Sequence, residues 1–136
     1  MVSAKQAHEQ AQPGESVIGW KLDRSEREQL LARFPPTYAE PVADHVTLSS
    51  RVAPDSVLPE EDHGEIIGRS DDDKGVEAMV VELGGSTDRP DGSTYHITWS
   101  LEPGREARES NDVIRQFGWQ PIDPPVPVSL RPERFR

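Results

Sequence analysis

Two strings, His45-Val46-Thr47-Leu48 and His96-Ile97-Thr98-Trp99, restrict the possible folds of this chain more than any other feature. Each alternates a polar with an apolar residue, the period of a β-strand that is wet on one face and buried on the other. In each string an imidazole and a hydroxyl share one face, while Val46 and Leu48, or Ile97 and Trp99, point the other way into a core. Strands of this kind laid side by side bring two imidazoles and two hydroxyls to one spot. Such a set can move protons and hold a phosphate.

The core behind those strands has to be assembled from little. Hydrophobic residues make up only 33% of the 136, and 13 prolines with 10 glycines put much of the length into loops. The size fits one domain. Residues 1–15 carry Lys, Gln, His, Glu and Ala without an apolar run, and read as a flexible tail or a helix docked only on a partner. That leaves 16–136 as the single domain. The start lacks the apolar middle of a secretory signal and no later run is long enough to span a bilayer, so the expectation is a cytoplasmic protein without a membrane partner. The absence of cysteine excludes thiol catalysis and cysteine metal sites. With 25 acidic against 15 basic side chains and a formal charge of −10, the chain lacks the basic stripe that grips long nucleic acid. A small anionic ligand held by a few local donors remains compatible.

Element signals give the order β-α-β-β-β-β-α-β, an α+β domain. A first strand is expected over 16–22, then a helix opened by a Ser25–Glu28 capping box and stopped by Pro35-Pro36. Strands follow over 42–52, 65–68, 76–83 and 94–101. Ser110 is expected to cap a helix over 111–117 that ends at Gly118. The stretch 126–130 reads as an edge strand, since Pro127 cannot donate to a ladder. The comparable surroundings of the two motif strands suggest two small antiparallel lobes related by a pseudo-twofold, with flanking helices.

Hydrolysis at a phosphate held by such a set needs a base for water, an acid for the leaving oxygen, and donors for the phosphoryl oxygens. His45 and His96 are the candidates for base and acid, in opposite protonation states, and their order is open. Thr47 and Thr98 are the candidate donors. Ser49 and Ser100 continue the same strand faces, and Tyr38 and Arg51 could flank the pocket to stack a base or meet phosphate. The run Asp71-Asp72-Asp73-Lys74-Gly75 lacks the spacing of a calcium loop and reads as a solvated turn. His8 and His63 show no metal-ligand spacing with the motif histidines, so neither a metal nor a cofactor is expected. The glycine-containing loop from Gly84 onward could gate substrate or simply be a hairpin tip.

Through the paired motif the chain resembles the two-histidine (2H) phosphoesterase superfamily, whose signature is two His-x-Ser/Thr strands facing one another across a cleft. The stretch from Tyr95 to Leu101 and on through Ser110-Asn111 resembles the cyclic phosphodiesterase part of fungal-type tRNA ligases and small bacterial relatives. The start, Gly19-Trp20-Lys21-Leu22-Asp23 followed by a helix ending near Phe34, is similar to how those domains begin. The resemblance spans about residues 17–130. It implies a metal-independent phosphoesterase acting on a 2′,3′-cyclic RNA end or a small cyclic nucleotide, with His45, Thr47, His96 and Thr98 at its centre. The alternative is a non-catalytic module of the same fold, binding a nucleotide or RNA end or serving an RNA-repair complex. The short interval between the histidines implies a pared-down intervening segment and an open cleft.

Overall fold

A computed structural model describes residues 2–135 as three helices and seven strands. Strand β1 (Pro13–Leu22) sends Ile18, Trp20 and Leu22 inward at alternate positions, all but fully buried. It lies between β3 (His45–Val52) and the C-terminal half of β7 (Gln120–Phe135), antiparallel to both. The N-terminal half of β7 pairs with β4 (His63–Asp71), β4 with β5 (Val76–Glu82), and β5 with β6 (His96–Leu101). Strand β6 returns to β3 and to the two-residue β2 (Glu40–Pro41). The sheet therefore closes on itself through β6 as one antiparallel seven-stranded sheet. Closure removes long unpaired edges, which a chain with so small an apolar share needs.

The interior is filled from every side by Ile18, Trp20, Val46, Leu48, Ile66, Met79, Val81, Ile97, Trp99, Val126 and Leu130. Trp99, buried as its alternation requires, donates its indole N–H to the Phe34 carbonyl and meets the Phe34 ring edge-on. Helix α2 (Arg24–Arg33) closes one end with Leu30. Its cap is Asp23, whose carboxylate accepts from the Glu26 N–H, rather than the expected Ser25. Helix α3 (Glu109–Phe117) lies on the outside of the sheet, where Val113 packs with Val76, and Ile114 with Ala78 and Val80. Strand β5 is thus covered on both faces, which explains its nearly unbroken apolar run.

Two regions depart from expectation. Residues Ala4–Gln10, within the expected tail, form helix α1, opened by a complete capping box between Ser3 and Gln6. Ala4 and Ala7, three residues apart on one face, are buried in the main core. The Ala4 N–H donates to Glu61, and His8 Nδ1 lies 2.5 Å from Ser49 Oγ. Alanines bury by closeness rather than by bulk, so their docking face leaves no apolar run to read. Strand β7, expected at an edge, is central. Leu130 donates its N–H toward β4, so Pro132, of the same parity, faces an edge where β4 has ended. Pro127 has the opposite parity and faces an edge where β1 has not begun. Neither proline removes a ladder bond.

Candidate active site

The outer faces of β3 and β6, the faces turned away from Val46 and Ile97, carry the two motifs. These strands are antiparallel neighbours through one register pair, Val46 with Ile97. Antiparallel geometry then sets His45 across from Thr98 and Thr47 across from His96. Gly19 allows β1 to lie close beside β3 at the first motif: a Cβ there would stand 2.2 Å from the Val46 carbonyl oxygen. The four motif side chains line one crevice of about 230 Å³, together with Ser50, Arg89, Ala107, Arg108 and Asn111. The walls come from the loop before β6 and from the segment leading into α3.

Both imidazoles are held by one nitrogen. His96 Nδ1 lies 2.9 Å from the Thr94 carbonyl, and His45 Nδ1 lies 3.0 Å from an Asp44 carboxylate oxygen. Each partner can only accept, so each Nδ1 carries the proton and donates it, leaving Nε2 as the working atom. Asp44 is itself fixed by Lys21 and Arg24. Those donors, with the His45 N–H, overcome partial burial and bring its carboxyl down to about 2. Burial pushes both histidines below the ordinary imidazole value. For His45 the Asp44 carboxylate opposes that shift, whereas His96 also feels Arg89 and His45 as neighbouring positive charges. The outer edge of His45 meets the Phe135 ring, centroids 4.8 Å apart.

The hydroxyls differ. Thr98 is buried, its Oγ1 3.2 Å from the Ala107 carbonyl and 2.9 Å from the Ser110 hydroxyl. Thr47 stands half-buried and opens on the crevice. Ser110, expected as a helix cap, is instead a fully buried residue inside α3 that positions Thr98.

Of the four flanking residues expected around the site, none lines the crevice. The cause is the same in both strands. Opposite β1, the step from Gly19 to Ile18 spans Thr47 to Ser49, and opposite β5 the step from Ala78 to Glu77 spans Thr98 to Ser100. Each motif is thus followed by a β-bulge that reverses the alternation. Ser49 turns to His8 of α1, and Ser100 donates to the buried Glu77 carboxylate. Ser50 takes the place in the crevice that strict alternation assigns to Ser49. Tyr38 donates its hydroxyl to Asp71, and burial with that bond pushes its phenol up to about 12. Arg51 is exposed beyond the bulge, at φ 57°.

Residues missed from the sequence supply much of the charge. Arg89 is buried at the crevice wall, one amino group bound to Asp91 at 2.7 Å, while its buried Nε has no partner among the described residues. Asn111 Oδ1 is likewise buried without a partner. Arg108 adds an exposed guanidinium that is paired with Glu106. No carboxylate among the described residues lines the crevice, and the runs 60–62 and 71–73 lie elsewhere: Glu61 opens on a neighbouring cavity, Asp71 and Asp73 on a pocket beside Trp119. Asp44, adjacent to His45 in sequence, was the one missed residue with a local signal.

Comparison with family models, with characterised proteins and with solved structures returns no match. No helix among the described residues is long and apolar enough to cross a membrane.

Proposed function

We propose that this protein is a phosphoesterase of the two-histidine kind, hydrolysing a cyclic phosphodiester by paired imidazole acid–base catalysis without a metal. The observation that carries the reading is the convergence of His45, Thr47, His96 and Thr98 on one crevice free of carboxylates, both Nε2 atoms left available. The Val46–Ile97 pair supports the two-lobed, pseudo-twofold reading, since a local dyad there exchanges His45 with His96 and Thr47 with Thr98. In the step proposed, His96, the more desolvated imidazole, takes a proton from water through Nε2. The water oxygen bonds to phosphorus as one ribose P–O bond breaks. His45, kept protonated more readily by Asp44, gives its Nε2 proton to that leaving oxygen. Thr47 and Arg89 bind the non-bridging oxygens, while Thr98 joins them by exchanging its Ala107 contact for phosphate as Ser110 donates to it.

That occupied Thr98 hydroxyl favours a second reading, a module that binds a nucleotide or RNA end without turnover. Incubation with 2′,3′-cyclic nucleotides in EDTA, followed by phosphorus NMR, separates the two. Conversion to a 2′- or 3′-monophosphate is expected. Unchanged cyclic phosphate, with binding retained, leaves the non-catalytic module.

A further inference from the structure

The crevice is smaller than the roughly 300–1,000 Å³ of sites that hold a whole small molecule. It has room for the reacting phosphate and little of the nucleoside. Two larger cavities adjoin it, each through one shared wall residue. One, of about 540 Å³, is reached past Asn111 and is lined by Asp91, Arg115 and Trp119. Its charged groups are already engaged, Asp91 with Arg89 and Arg115 with Asp112. The other, of about 620 Å³, is reached past Arg89 and lies between α1 and the loop following β5. Leu83, Pro90 and the Tyr95 ring give it apolar walls, and Tyr95 is braced edge-on by Trp20.

Each cavity has a wall residue with an unpartnered buried oxygen, Asn111 in the first and Glu61 in the second, and only the second is a charged acceptor. Glu61 Oε2 accepts from the Ala4 N–H at 3.1 Å, but Glu61 Oε1 is buried with no partner among the described residues. Arg89 lines the same cavity without pairing with Glu61, being tied to Asp91. Buried polar atoms are nearly always satisfied, and an orphaned oxygen on a residue of the cavity wall marks a place where a ligand's donors fit once the side chain turns to meet them. A carboxylate only accepts. Among the nucleobases, guanine alone presents two adjacent donors on its Watson–Crick edge, the N1–H and the N2 amino group. Adenine and cytosine set an acceptor beside their amino group, and uracil flanks its N–H with two acceptors.

We infer that the protein is selective for a guanine nucleotide, with phosphate between His45 and His96, Arg89 bridging the two compartments, and the base against Tyr95 with its donors on Glu61. The inference rests on the phosphate-binding reading of the crevice and names the substrate class for it. A site built to pair a substrate's donors rejects analogues lacking them, because its own group is then left unpaired. Glu9 and Asp88 line this cavity beside Lys5, Arg89 and Glu61, so the anionic phosphate stays in the crevice, which no carboxylate among the described residues lines, and only the uncharged base enters here.

The test is calorimetric binding of guanosine 3′-monophosphate against its adenosine, cytidine and uridine counterparts, run beside turnover of the four 2′,3′-cyclic nucleotides. Guanosine is expected to bind at least about tenfold more tightly. In Glu61→Gln that preference should fall below about threefold, because the amide oxygen is needed by the Ala4 N–H and its amino group then faces the base. Trp119→Ala should leave the preference unchanged. Equal binding of all four nucleotides overturns the guanine inference, even with brisk turnover of every cyclic substrate. Guanine preference without any turnover sustains it while removing the catalytic reading. Loss of preference in Trp119→Ala rather than Glu61→Gln moves the base to the other cavity and also overturns it. Because the wild-type comparison stands alone, a poorly folded variant does not decide the matter.

Discussion

At the scale of single residues, the site is a pair of imidazoles with fixed tautomers, and the consequences can be measured. His45→Ala and His96→Ala are each expected to lower turnover of a cyclic nucleotide by at least about a thousandfold, and the double variant to be hardly worse, because the two act on one transition state. Near wild-type turnover in either single variant would contradict the paired mechanism. Thr47→Ala should cost about a hundredfold, the loss of one oxyanion donor. Thr98→Ala should cost less, since its hydroxyl is already shared between Ala107 and Ser110. Asp44→Asn removes the charge that favours protonated His45, so the alkaline limb of the pH–rate profile should move to lower pH. An unmoved limb would assign the acid to the other histidine. Asp44 is about a third exposed on its side chain, so its contribution to stability is discounted to about 1 kcal/mol. That contribution is present above pH 3.8 and is lost as pH falls toward about 2.

Strands and helices carry predictions of their own. The bulges behind the two motifs decide which serine serves the crevice, so Ser50→Ala should weaken substrate binding while Ser49→Ala leaves KM within about twofold. The reverse order would mean that β3 keeps its alternation past Leu48. Helix α1 is an integral part of the domain through Ala4 and Ala7. Ala7→Asp places an unpaired charge in the core and is expected to destabilise the fold by about 2–4 kcal/mol in urea titration. A loss under about 0.5 kcal/mol would show that the helix docks only weakly.

For the whole molecule, the protonation of the site and of the fold are linked. Both histidines are pushed below the ordinary imidazole value near 6.5, so both limbs of the bell in kcat/KM should fall below that pH, with the optimum on its acid side. An optimum above pH 7 would be incompatible with imidazoles buried as these are. Because the folded state holds them neutral where the unfolded chain protonates them, stability gained from this source is full above about pH 6.5 and declines as pH falls below it. The sequence alone determined the two motif strands, their inward Val46, Leu48, Ile97 and Trp99, and the α+β class, because alternation is written in neighbouring residues and needs no partner to be read. Asp44 stands one position before His45, yet alternation assigns it to the opposite face, and its pairing with the imidazole was missed until the structure showed it. Only the tertiary structure decided the rest. The bulges that turn Ser49 and Ser100 away depend on the registers of β1 and β5, which no local pattern encodes. The interior place of β7 depends on where its neighbours begin and end, while Arg89 and Asn111 reach the crevice, and Ser110 reaches Thr98, only because the sheet closes through β6 and packs against α3.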